Sequence, residues 1–138
     1  QSYRGHVFAI EKNTEGCSLI EQNMKNFGIS NVSIIEGVAP EVLENLPTAT
    51  HAFIGGSSGN MKEIVDNLLK KNKNMRIVIN TVTMESLAEA IEVAKTSAVT
   101  DLDVVQVNIA KNRKTGRYNL MTAQNPVYVI SCTGNGQD

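Results

Sequence analysis

The residues able to do chemistry in this chain stand just after short apolar runs. Glu11 closes the run "VFAIE", and a carboxylate at the end of a buried parallel strand can accept hydrogen bonds from both ribose hydroxyls of a nucleoside. That geometry serves an adenosyl group and a nicotinamide dinucleotide equally, and a solvated strand-end acid has the same position in sequence. Gly37 follows the second run, "VSIIEG", where a tight turn needs it. Gly55, Gly56, Ser57, Ser58 and Gly59 follow the third, "HAFIGG", and open onto a helix whose first backbone N–H groups attract carboxylate or phosphate. Asn80, Thr81 and Thr83 end the fourth run; Thr83 is placed to cap the next helix. Lys111, Arg113, Lys114 and Arg117 put four cations in seven residues, either a solvated arm or a grip on a polycarboxylate.

Other chemistries find no support in the spacing. His6 and His51 lack metal-ligand spacing, and no Ser-His-Asp or Cys-His arrangement is readable, so no metal site and no catalytic residue is assigned. Cys17 and Cys132 form no C-x-x-C pair, which fits a reducing cytoplasm, and Cys17 reads as packing. Thirteen basic against fourteen acidic residues give a net charge of -1, and aromatics are sparse, so no nucleic-acid or membrane surface is expected. No apolar run reaches the length of a membrane span, and no signal segment opens the chain.

These residues need a scaffold, and the hydrophobic pattern supplies one. At 138 residues and 41% hydrophobic content, the chain suits one domain with a real core. Val7–Glu11 reads as a strand. Cys17, Ile20, Met24 and Phe27 form one face of a helix that Asn13 can cap and Gly28 can stop. Strands over Val32–Gly37 and His51–Gly56 flank a short helix beginning near Pro40. Met61, Ile64, Val65, Leu68 and Leu69 make an amphipathic stripe, Met75–Val82 a fourth strand, and Met84, Leu87, Ala88, Ile91 and Ala94 another helical face. This alternation predicts a doubly wound α/β sheet, mostly parallel. The ending differs: Leu102–Ala110, with Asn108 inside it, and Pro126–Cys132 are β runs joined by "KNRKTGRYNLMTAQN", too polar for a crossover helix. An antiparallel closing pair with a hairpin arm is expected.

The segments "VFAIEKN", "IIEGVAPEVL", "FIGGSSGNMKEI", "VVQVNIAKN" and "NPVYVIS" together resemble the decarboxylating precorrin methyltransferases of cobalamin biosynthesis, over nearly the whole chain. The resemblance implies a Rossmann-like class I methyltransferase fold. It also implies S-adenosyl-L-methionine as cofactor, methylation at carbon 15 of a corrin precursor (a precorrin, with or without cobalt), and loss of carbon dioxide from an acetate side chain. It places Glu11, Lys12, Gly37, Val38, Ala39, Gly55 and Gly56 on the cofactor. Ser57, Ser58, Asn80, Arg113, Lys114 and Arg117 fall to the substrate. Val38 departs from an acid common in the family that binds the adenine amino group, and Ser58 replaces a common glycine. A homotetramer is implied, as is a carbon-5 methylase as partner or fusion. The chemistry is consistent: the sulfonium methyl is already electrophilic, so the protein chiefly positions a carbon nucleophile, without a metal. Two other classes remain open, a non-catalytic binding or assembly module of the same fold and an NAD-dependent oxidoreductase.

The same fold needs a central strand and glycine-rich loop before "VFAIE", and no run in these residues supplies them. The sequence therefore predicts a further βα unit of roughly 30 residues upstream of Gln1, unpaired strand edges on either side of its place, and weak cofactor binding by these residues alone.

Overall fold

The computed structural model describes residues 5–56 and 59–137. The chain divides into two compact units, Gln1–Pro47 and Thr48–Asp138.

In the first unit β1 (Val7–Glu11) leads into helix α1 (Thr14–Phe27) and then β2 (Val32–Glu36). The two strands pair in parallel, Val7 opposite Val32 through Glu11 opposite Glu36. Gly28 ends α1 in the left-handed region (φ 63°), where a residue with a Cβ would be strained. Cys17 is buried and Ile20 and Met24 half-buried, as their spacing predicts, but Phe27 is 76% exposed because it lies on the last turn beyond the strands. Asn13 offers no side-chain cap; its backbone N–H instead donates to the Glu11 carboxylate. After β2 the chain turns at Gly37 and passes Pro40 into a single 3-10 turn, Glu41–Leu43, which buries Leu43.

The second unit holds the larger core. Strands β3 (His51–Ile54), β4 (Arg76–Thr81), β5 (Val99–Val107) and β8 (Val127–Gly134) form one sheet in the order β3-β4-β8-β5. β3 and β4 are parallel, whereas β8 runs antiparallel to both β4 and β5. The expected antiparallel ending is therefore present, with the last strand inserted between β4 and β5. Helix α2 (Met61–Lys71) buries all five residues of its predicted stripe, Met61, Ile64, Val65, Leu68 and Leu69, with Ile77 and Ile79 of β4 and Ile130 and Cys132 of β8 also in the core.

Helix α3 (Met84–Thr96) packs differently from the expectation. Ala90 and Val93 are its fully buried residues and Leu87 and Ala94 are half-buried, while Met84 is 84% and Ile91 46% exposed and Ala88 is exposed. The helix carries apolar residues around more than half its girth, so two stripes compete. The stripe through Ala90 and Val93 is the buried one. Strand β5 also begins three residues earlier than its apolar run suggests. Thr100 opposes Thr133 and Asp103 opposes Ser131, so β5 carries one extra residue there, and Asp101 takes up the bulge with φ 53°. Asn108 lies just past β5 rather than within it.

Between β5 and β8 the polar segment forms its own hairpin, β6 (Ala110–Thr115) and β7 (Tyr118–Ala123), turning at Gly116 and Arg117. Positive φ at Gly116 alone (60°) matches the two-residue turn that takes glycine first. Among the described residues no strand pairs with the second edge of β1 or of β3, and no helix is long and apolar enough to cross a membrane.

Candidate functional site

In the first unit, parallel pairing places the two predicted loops side by side at the carboxyl ends of β1 and β2. The Gly37 N–H donates to the Glu11 carbonyl at 3.0 Å, which ties the turn after β2 to the end of β1. A Cβ at Gly37 would run into Cγ1 of Val42, so the tight turn requires glycine for space as well as for its φ of 156°. The Glu11 carboxylate folds over the start of α1, where Oε1 accepts the Asn13 N–H at 2.8 Å. Among the described residues the other oxygen has no hydrogen-bond partner. Lys12 and Val38 are exposed, Val38 at 47%, and Ala39 is half-buried.

Register also delivers a neighbour the sequence reading missed. Glu36 lies opposite Glu11, and its Oε1 accepts from the Thr14 hydroxyl at 2.5 Å. Two strand-end carboxylates thus stand over the first turn of α1, each held by one bond from that turn. Burial pushes the Cys17 thiol above its ordinary value of 9.0, and the charges of Glu36 and Glu11 push it further. Two acids that each close an apolar run were the available signal; only the pairing register shows that they are adjacent.

In the second unit Gly55 and Gly56 follow β3, and Asn80 stands one residue past the Ile54–Ile79 pair on the neighbouring strand. These residues share the carboxyl end of the parallel pair. Gly55 and Gly56 are exposed, with ordinary φ and room for a Cβ. Their glycine identity is thus not dictated by the local backbone. Ser57 and Ser58 lie outside the described residues. The Asn80 Oδ1 and Thr81 Oγ1 atoms are buried with no hydrogen-bond partner among the described residues, and Thr81 is only 2% exposed. Such orphaned groups are rare in folded proteins. Successive strand residues face opposite ways, so the two atoms lie on opposite faces of β4. Thr83 caps α3, accepting the Ser86 N–H at 3.1 Å.

The hairpin arm leaves the sheet at this same end, because antiparallel β8 sets Tyr128 opposite Thr81 of β4 and Gln106 of β5. Its cations do not converge as their sequence clustering suggests. Arg113 opposes Leu120 and Lys114 opposes Asn119, so Lys111 and Arg113 share one face of the ribbon and Lys114 takes the other. Arg117, in the turn, donates to the Tyr118 hydroxyl at 2.9 Å and stacks its guanidinium 5.1 Å from that ring. All four cations are exposed.

The sequence pattern of the precorrin methyltransferase domain matches residues 1–133. The chain belongs to the precorrin methyltransferase family. A relative from Pyrobaculum calidifontis, named "Probable cobalt-precorrin-6B C(15)-methyltransferase (decarboxylating)", is 36% identical over 126 residues, which cover 91% of this chain and 64% of that protein. The precorrin-6y C5,15-methyltransferase of Geobacter metallireducens superposes with a TM-score of 0.82 at 35% identity, covering 94% of this chain and 68% of the other. The precorrin 8w decarboxylase of Methanobacterium thermoautotrophicum gives 0.81 at 34%, covering 91% and 68%. The chain therefore spans just under two thirds of the length of the first of these relatives. Its fold is that of the class I methyltransferases, with parallel βα units closed by an antiparallel strand.

Proposed function

We propose that this chain is the S-adenosyl-L-methionine-binding part of an enzyme that methylates carbon 15 of a precorrin or cobalt-precorrin and decarboxylates one of its acetate side chains, in cobalamin biosynthesis. The observation that carries the reading is the parallel pairing of β1 with β2, which puts an anchored Glu11 carboxylate beside the bare backbone of Gly37. On this reading the two units are parts of one methyltransferase domain.

The residues fit the cofactor. Glu11 accepts from the ribose hydroxyls, Lys12 flanks it, and Gly37, Val38 and Ala39 receive the adenine through backbone groups and apolar contact. With valine at position 38 the adenine amino group has no acid there, so recognition rests on shape and backbone. Gly55 and Gly56 give the cofactor backbone without side chains to block it. When bound, the cofactor supplies an electrophilic methyl group on a sulfonium. Ser57, Ser58 and Asn80 hold the substrate beside it, in keeping with the orphaned Asn80 oxygen. Decarboxylation breaks the bond between the acetate methylene and its carboxyl carbon, carbon dioxide departs, and the electron pair passes into the conjugated macrocycle. The chain's part is orientation.

Arg113, Lys114 and Arg117 bind the substrate's peripheral carboxylates, with Arg113 and Lys114 serving opposite faces of the arm. An isolated two-stranded hairpin is at best marginally stable in water. Here it exposes Tyr118 (59%), Leu120 and Met121, and β5 beside its base exposes Leu102, Val104 and Val105. That surface supports a homo-oligomer, a tetramer by family resemblance, in the cytoplasm, and a carbon-5 methylase serves as fused domain or partner. An NAD-dependent oxidoreductase is disfavoured by antiparallel β8. Isothermal titration of the intact protein tests the reading: S-adenosyl-L-methionine binds, NADH does not, and Glu11→Ala weakens binding by about 1 to 3 kcal/mol through loss of a buried acceptor. Tight NADH binding, or unchanged affinity in the folded variant, would count against it.

A further inference from the structure

We propose that Gly16 is a positioning residue for Glu11: the missing Cβ at Gly16 is what lets the Glu11 carboxylate lie over the first turn of α1. The inference rests on the cofactor reading above and adds a residue to it. Gly16 is the third residue of a fourteen-residue helix. A glycine inside a helix is unfavourable relative to alanine by roughly 0.5 to 1 kcal/mol, since it surrenders the most backbone freedom on folding. Nothing in its backbone demands glycine, because its φ is not in the left-handed region. The space above it does. A Cβ at position 16 would lie 2.7 Å from Cγ, 2.8 Å from Cδ and 3.3 Å from Oε1 of Glu11.

The glutamate side chain therefore occupies the volume an alanine methyl would take, and from there Oε1 receives the Asn13 N–H at 2.8 Å. That bond fixes one carboxylate oxygen against the helix and leaves Oε2 as an oriented acceptor. An alanine at 16 forces Cγ and Cδ to swing away, and the carboxylate loses the N–H that orients it. Gly16 touches no ligand in this account and acts only through Glu11.

The experiment is a double-mutant cycle in the intact protein, using Gly16→Ala, Glu11→Ala and the double variant, with S-adenosyl-L-methionine affinity by isothermal titration, thermal melting by circular dichroism, and steady-state kinetics. Gly16→Ala is expected to melt at the wild-type temperature or above, since alanine favours the helix. It should bind the cofactor roughly three- to tenfold more weakly, the value of one ordinary net hydrogen bond. Its KM for the cofactor rises while kcat at saturation holds. The double variant should bind no more weakly than Glu11→Ala alone, because the glycine then has nothing left to position. A structural role for Gly16 would lower the melting temperature and leave no such coupling. Wild-type affinity in Gly16→Ala alongside a weakened Glu11→Ala overturns this proposal and leaves the cofactor site standing. So does a full additional loss in the double variant, or a Gly16→Ala protein that does not fold, since the colliding atoms belong to a side chain free to move. Undiminished binding by Glu11→Ala overturns both readings together.

Discussion

Replacing Thr81 with valine should make the protein more stable. Thr81 is 2% exposed at the end of β4, and its hydroxyl has no partner among the described residues. A buried hydroxyl without a hydrogen bond is unfavourable by about 1 to 3 kcal/mol relative to its hydrated state. Valine has nearly the same shape, needs no partner, and prefers the strand conformation. The isostere should therefore raise the unfolding free energy by about 1 kcal/mol, or the melting temperature by roughly 2 to 6 °C for a domain of this size. Thr81→Ala separates the polar effect from packing: it also removes the hydroxyl but leaves a methyl-sized void, so it should gain less or lose stability. Urea titrations read by circular dichroism, with the m-value unchanged, give the comparison. If the hydroxyl is retained for function, kcat/KM of Thr81→Val falls although stability rises, the trade expected where a functional group is kept against stability. A valine variant that is destabilised by 1 kcal/mol or more would show that the hydroxyl is satisfied in the folded protein and refute the reasoning.

Alanine at Arg113, Lys114 and Arg117 together should raise KM for the corrin substrate, more at low salt than at high, and leave cofactor affinity nearly intact. Steady-state kinetics at two ionic strengths checks this, and constants that do not move would reduce the arm to a subunit contact. Asp66 gives a pH-dependent stability term. Partial burial pushes its carboxyl up, but hydrogen bonds from Lys62 and Ser97 and the nearby lysine charges outweigh burial and hold it below the ordinary 3.8. A depressed folded value means the stabilisation is complete above the unfolded carboxylate range and fades as pH falls through the folded one. The wild-type advantage over Asp66→Asn, no more than about 1 kcal/mol for so exposed a pair, should hold at neutral pH and vanish in acid melts.

Much of the scaffold is readable without coordinates because each element has one dominant signal. The α2 stripe and the glycine stop at Gly28 are local, and both appear in the structure where the pattern puts them. The failures come where competition or pairing decides. α3 has two apolar stripes, and the choice between them depends on what it packs against. The bulge at Asp101 exists only relative to β8. At the candidate site, Glu11 and the Gly37 turn were visible as strand-end residues, yet the adjacency of Glu36 and the dependence on Gly16 follow from register and from volume. The four cations read as one cluster in sequence, whereas a strand alternates its side chains and parts Arg113 from Lys114.

The central claim is tested most directly by giving the intact enzyme S-adenosyl-L-methionine and a precorrin or cobalt-precorrin that already carries the earlier methyl groups, then following the product by mass spectrometry and the gas phase for released carbon dioxide. The account predicts one methyl gained at carbon 15, one carbon dioxide released from the acetate side chain, and S-adenosylhomocysteine formed in step with methylation. A protein that binds the cofactor yet leaves the macrocycle unmethylated under these conditions would contradict it.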